Sequence, residues 1–352
     1  MINDRIQRQE AGDNSTNYQA ENININQGIT YRDAKDIALD IYRQNFMQLS
    51  EQAAKVALER VEEFVDEFLD KLQSKSPSLL DVMNQPSIQH SLYSAQKQYA
   101  VTGDEELKGL LLDLVVQRCE KENRSIHQIV LDEAIAVASK LTVEQMDALT
   151  INFIISRTVD NNIVNLDAFF EHLDTSVIPF LESLRFDSSC YDHLPYVGVA
   201  TIEYTGLIPQ LYEQYREKYA AAFSKGLSKE IVDDVVSSDP SLSKHFMICH
   251  EYPNLLQVCA LNENSLRFVC QKDGVSNEGI DKLISLLRQS TMSSEEAKVF
   301  LLDRRPALKK LFSIWEKTLI NKIFLTPVGV AIAQANLQRR TGKMLMLDMW
   351  VK

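Results

Sequence analysis

Glycine and proline are scarce, at eleven and nine residues in a chain of 352. Folds built from many strands and tight turns draw heavily on both, so their shortage points to helices. Cysteine is sparse too: Cys119, Cys190, Cys249, Cys259 and Cys270 form no C-x-x-C pair, and their odd number cannot be fully bridged. Such a set reads as buried reduced thiols of a cytoplasmic protein. Basic charge is in deficit, with 37 Lys and Arg against 49 Asp and Glu and a net charge of -12. That balance disfavours general binding of nucleic acid, which is held by a basic footprint. Long apolar runs are also missing. The first thirty residues contain no signal-peptide core, and the best candidate span, 320–337, is interrupted by Asn321, Lys322, Pro327, Gln334 and Asn336. A spanning helix needs about 20 mostly apolar residues, so no integral membrane insertion is expected.

Catalytic words are equally absent. The chain has no G-x-S-x-G elbow, no Walker A loop and no H-E-x-x-H among His90, His127, His172, His193, His245 and His250. His245, Cys249 and His250 lie close together, but a zinc site needs further convincing ligands, and Cys259 and Cys270 are not spaced as a knuckle. No catalytic residue, metal or cofactor is therefore expected. Residues that converge only in three dimensions leave one rival open: an enzyme or nucleotide sensor with a pocket between helical subdomains.

What the sequence does contain is helical periodicity. Thr30-Tyr31-Arg32-Asp33 fits a capping box that opens a long helix. Val61, Phe64, Val65, Phe68, Leu69 and Leu72 recur along it at three- and four-residue steps, with acids between them. The acidic run is thus the solvated face of an amphipathic helix rather than an acid/base pair. Ser87, Asp104, Ser125 and Thr142 mark further helix starts, Thr142 with Gln145 completing a box. Thr326, Pro327 and Gly342 punctuate a complete helix near the end. Short loops between such helices favour antiparallel neighbours.

Charge is polarised along the chain. Residues 298–343 hold ten Lys or Arg and two acids, a net +8 that leaves -20 elsewhere. Arg304, Arg305, Lys309, Lys310, Arg339 and Arg340 are the candidates for docking an anion or an acidic partner, with a solvated basic face as the plainer account. A third reading gives this face to an anionic membrane or a nucleic acid.

The N-terminus breaks the helical pattern. Seven of the fifteen residues from Asp13 to Gln27 are Asn or Gln, and Asn22, Asn24 and Asn26 alternate with Ile23 and Ile25. In a strand this alternation puts amides on one face and isoleucines on the other. A lone strand is unstable in water, and identical strands stacked in register pair their side-chain amides as ladders. Asn14, Asn17, Tyr18, Gln19, Asn22, Ile23, Asn24, Ile25 and Asn26 are accordingly the oligomerisation candidates, against the competing account of plain disorder. The closing segment 343–352 alternates as well and is a second candidate strand.

The leader "GDNSTNYQAENININQGITYRDAKDIALDIYRQNF" and the ending "LTPVGVAIAQANLQRRTGKMLMLDMWV" resemble the two ends of an uncharacterised family of bacterial proteins. Asn14, Ser15, Asn17, Gln19 and Ala20 carry the first likeness; Thr326, Pro327, Gly329, Gly342 and Trp350 carry the second. Similar leaders on bacterial defence or signalling proteins look like self-assembly tags. The resemblance implies a bacterial cytoplasmic setting and an assembling protein.

The expectation is a mainly α multi-helix protein: a strand-prone leader (1–29), a bundle-like helical domain (30–236), an irregular junction (237–275) and a basic helical C-terminal subdomain (276–352) ending in a short strand. Its expected partners are copies of itself and another bacterial protein.

Overall fold

The computed structural model describes residues 28–45, 49–120, 125–163, 165–205 and 208–351. The capping box at the first helix is formed: Thr30 N–H donates to Asp33 Oδ2 at 3.1 Å and Asp33 N–H to Thr30 Oγ1 at 3.2 Å. The single long helix expected from there is two, α1 (Tyr31–Asn45) and α2 (Glu51–Lys75), with residues 46–48 outside the described set. The apolar stripe of α2 is buried throughout, from Val61 to Leu72. Helix α3 (Pro86–Thr102) starts one residue before the expected Ser87 cap, because Pro86 presets the first helical φ and has no N–H to leave unbonded.

Gly103 ends α3 in the left-handed region at φ 62°. A Cβ there would also lie 2.3 Å from the Arg60 guanidinium, whose Nη1 donates to Ala100 O at 2.9 Å. Gly103→Ala is therefore expected to destabilise the protein by about 1–2 kcal/mol from backbone conformation alone, read as a lower thermal midpoint.

The next three helices begin where expected, the last two at their expected caps. In α4 (Glu105–Cys119) Asp104 accepts from Leu107 N–H, in α5 (Ile126–Val137) Ser125 accepts from Gln128 N–H, and α6 (Val143–Arg157) opens on the Thr142–Gln145 box. Helices α7 (Leu166–Ser176) and α8 (Ser189–Val197) lead to β1 (Ala200–Ile202) and α9 (Leu211–Lys218). Then come α10 (Lys229–Ser238), β2 (Phe246–Ile248), β3 (Leu256–Val258), α11 (Glu263–Lys272) and α12 (Asn277–Ser290). Helices α13 (Ser294–Arg304) and α14 (Leu308–Lys317), β4 (Ile323–Leu325) and α15 (Pro327–Thr341) complete the described order. The chain is mainly α.

The strands form two antiparallel pairs, β1 with β4 (Thr201 opposite Phe324) and β2 with β3 (Met247 opposite Gln257). Each spans three residues, too short for a period-two pattern to stand out in sequence. The expected C-terminal strand is absent. Leu347–Met349 is a 3-10 turn, and the segment is anchored by side chains: Trp350 meets Phe153 edge-on with ring centroids 4.8 Å apart and donates its indole N–H to Arg157 O at 3.0 Å. Alternation supplies two faces but no ladder partner, and here the anchors prevail.

Two apolar cores are present. The larger joins α1 to α9 with α13, α14 and α15; the smaller gathers Leu227, Val232, Leu242, Val258, Leu266 and Leu283 around α10 to α12. The segment 237–275, expected as a junction, lies inside the smaller core. The basic C-terminal helices return to the larger one. Helix α15 is buried all round from Val328 to Leu337 and packs on α4, α5 and α6, so it is the centre of the bundle. No helix of the described residues is long and apolar enough to cross a membrane.

Candidate functional site

The six basic residues singled out for docking are spread over the C-terminal helices, and most of them are bonded within the chain. At the end of α15, Arg340 Nη1 donates to Asp147 Oδ2 at 2.6 Å and Nη2 to Pro179 O at 2.8 Å. Asp147 on α6 is fully buried and also accepts from Ser183 Oγ at 2.6 Å and Asn336 Nδ2 at 2.9 Å. Arg339 reaches Glu106 on α4 at 2.5 Å. Arg305 grips Asp174 with two bonds of 2.6 and 2.7 Å and lies 4.8 Å from the Phe170 ring centroid. Arg304 bonds Glu251 in the β2–β3 connection at 2.6 Å, tying α13 to the smaller core. Lys310 donates to Glu182 O at 2.7 Å, while Lys309 is exposed and carries no side-chain partner among the described residues. These cations join elements distant in sequence.

Lys108 shows what a nearly buried cation requires. Its ammonium contacts Glu63 and Glu105 at 2.6 Å and Glu67 at 2.8 Å. Burial opposes its charge, but the hydrogen bonds it donates to the three carboxylates outweigh that and hold its pKa above the ordinary value. Part of the acidic face of α2 is thus a cradle for one lysine rather than bare solvated charge.

Lys218, at the end of α9, stands in contrast. Its ammonium donates to the carbonyls of Ile155 and Thr158, the latter at 2.7 Å, so it caps the C-terminal end of α6 without a carboxylate partner among the described residues. Burial pushes its pKa down to about 8. Two cavities meet at this last turn of α9, because Glu217 and Lys218 line both. The first, about 650 Å³, lies between α9 and the smaller core and is lined also by Arg216, Asn262, Glu263, Arg288 and Thr291. Its rim is fixed by an ion pair, Arg288 to Glu263 at 2.5 and 2.7 Å, and that pairing holds the Glu263 carboxyl below its usual range. The second cavity, about 480 Å³, is walled by Ile208, Pro209, Trp315, Ile323 and Phe324, with Ser156, Arg157 and Gln214 supplying polar groups. Both sizes suit small ligands.

Beside this cleft His172 is buried near Lys343 Nζ (3.4 Å to Nδ1) and Asp160 (3.7 Å), and burial lowers its pKa to about 4 from 6.5. As pH falls from about 6.5 towards 4 the unfolded state takes up a proton that the folded state refuses, so stability falls with pH through that window. His172→Gln should flatten this slope; urea midpoints at several pH values measure it.

A third concavity, about 580 Å³, is apolar. Leu49, Ala53 and Val56 at the start of α2 face Ala100 and Val101 at the end of α3. Leu49, Val56 and Val101 are 41%, 42% and 61% exposed.

The His–Cys cluster considered for zinc is drawn apart. His245 Nδ1 lies 3.8 Å from Cys270 Sγ, Cys249 instead contacts Ser224 O, and His250 N–H donates to Gln257. Among the described residues no three His, Cys, Asp or Glu are placed to hold a metal ion. Burial raises the Cys270 thiol and lowers His245, the reverse of an activated pair. Three cysteines are buried, but Cys190 is only partly so and Cys259 is exposed, which corrects the expectation that all five are buried. Asn14, Asn17, Tyr18, Gln19, Asn22, Ile23, Asn24, Ile25 and Asn26 lie outside the described residues.

A protein-family model described as ":-like" matches residues 28–351. The chain belongs to that family. No curated protein and no solved structure matches the chain. The cleft, the apolar groove and the ion pairs of α15 all fall within the matched span. The sequence left room for a pocket between helical subdomains but named none of its residues, because Arg157, Arg216 and Lys218 share no motif; the one readable sign was a cluster of charge, Glu213 to Lys218, ahead of an alanine run.

Proposed function

We propose that the protein acts by non-catalytic self-association, with the strand-patterned leaders of neighbouring copies joining the helical bodies into a cytoplasmic assembly of bacterial defence or signalling. The observation that carries this reading is the apolar groove between α2 and α3, exposed among the described residues. Large aliphatic side chains gathered at a surface mark a contact site, and the groove's alanines leave room for aliphatic residues to enter. Ile23 and Ile25 of another copy offer such side chains, while Asn22, Asn24 and Asn26 on the opposite face pair with like residues of adjacent leaders. Charge adds less support, since Arg304, Arg305, Arg339 and Arg340 are engaged by acids of the same chain. The same pairing weakens the case for a membrane or nucleic-acid surface.

Light scattering tests the reading. The full chain is expected to have a mass several times that of a chain beginning at Gly28, and Val56→Glu with Val101→Glu to lower the mass of the full chain. Equal masses for the full and shortened chains would overturn it.

A further inference from the structure

A partly buried cation without a carboxylate is electrostatically incomplete, because backbone carbonyl dipoles replace only part of the hydration that burial removes. Lys108 meets that demand with three glutamates, whereas Lys218 has two carbonyls and opens onto two cavities. Its cationic neighbours are similarly unspent. Arg216 donates to Met292 O at 3.2 Å, and the exposed Arg157 side chain makes no ion pair among the described residues. The N-terminal end of α11, capped by Asn262, borders the first cavity and adds the positive end of a helix dipole. Cations and helix end both favour an anion there.

The second cavity has a different chemistry. Apolar surface from Ile208, Pro209 and Phe324 lines it together with polar groups of Ser156 and Gln214. An alkyl acid would leave those polar groups without partners, and a bare sugar phosphate would leave the apolar walls uncovered. A heteroaromatic ring, with apolar faces and a polar edge, satisfies both demands.

We propose that the two adjoining cavities together form a mononucleotide-binding site, the base lodged against Phe324 and Pro209 and the phosphate turned toward Arg216, Lys218 and the start of α11. Glu217, exposed where the two cavities meet, accepts from ribose hydroxyls and repels the phosphate, which sets the direction in which the ligand lies. The site belongs to each copy and does not depend on assembly.

Calorimetric titration of the full chain with AMP, adenosine and inorganic phosphate tests this. AMP is expected to bind at least about tenfold more tightly than adenosine or phosphate, since each lacks one half of the recognition. Arg216→Gln should weaken AMP by about tenfold through the loss of a charge-assisted bond while leaving adenosine unchanged. Phe324→Ala should weaken AMP and adenosine in parallel. Lys218 is left intact because it caps α6. Absence of AMP binding, equal affinity for AMP and adenosine, or AMP affinity unchanged in Arg216→Gln would overturn the assignment.

Discussion

Arg340→Met is expected to cost the folded state about 3 kcal/mol, the low end of the range for removing one member of a buried ion pair, since the Arg340 side chain is 27% exposed. The mechanism lies in what is left behind. Asp147 is 0% exposed and would be left with only Ser183 and Asn336 as donors, having lost the guanidinium at 2.6 Å. The carbonyl of Pro179 would lose its donor as well. Against a total stability of about 5–15 kcal/mol this is a large fraction, readable as a shift in the urea midpoint. The double variant Asp147→Leu with Arg340→Met should recover most of the loss, because an apolar pair of similar volume removes the uncompensated charge. A single-variant cost below about 1 kcal/mol would show that the pair does not hold α15 to α6.

Gly329→Ala should reverse the sign normally seen for such a change. Within a helix, alanine is favoured over glycine by about 0.5–1 kcal/mol. Here an added Cβ would lie 1.9 Å from Val199 O. That carbonyl accepts from Thr326 N–H at 3.1 Å, and Thr326 Oγ1 both donates to Gly198 O at 2.8 Å and accepts from Gly329 N–H at 3.2 Å. The methyl group would force β1 away from the first turn of α15 and disrupt this latch. Neither contact partner is the flexible end of a side chain, so a loss near the top of the ordinary overpacking range, about 3 kcal/mol, is expected. Thermal unfolding would decide it: a raised midpoint contradicts the close approach.

Much of the local structure was legible in particular residues. Thr30 with Asp33, Asp104, Ser125, Thr142 with Gln145, and Thr326 with Gly342 each state a helix end, because a cap bonds groups within about four residues. The stripe from Val61 to Leu72 stated which face of α2 is inside. The break between α1 and α2 and the strands were not legible: three residues are too few for an alternation to stand out, and β1 finds its partner β4 far along the chain. For the site, Arg339 and Arg340 were noticed but their purpose was not. A basic pair at a helix end looks alike whether it faces solvent or a buried aspartate.

The sequence by itself determined the helical class, the starts of α1, α4, α5, α6 and α15 and the deficit of catalytic motifs, because composition, caps and periodicity act over a turn or two of chain. Tertiary structure alone decided that Asp147 and Arg340, 193 residues apart, would meet, and that Lys218 would be half-buried at a cleft with no carboxylate partner among the described residues. The reason is physical. A charge is paired or left open by whatever packing brings within a few ångströms, and no local pattern records that neighbour.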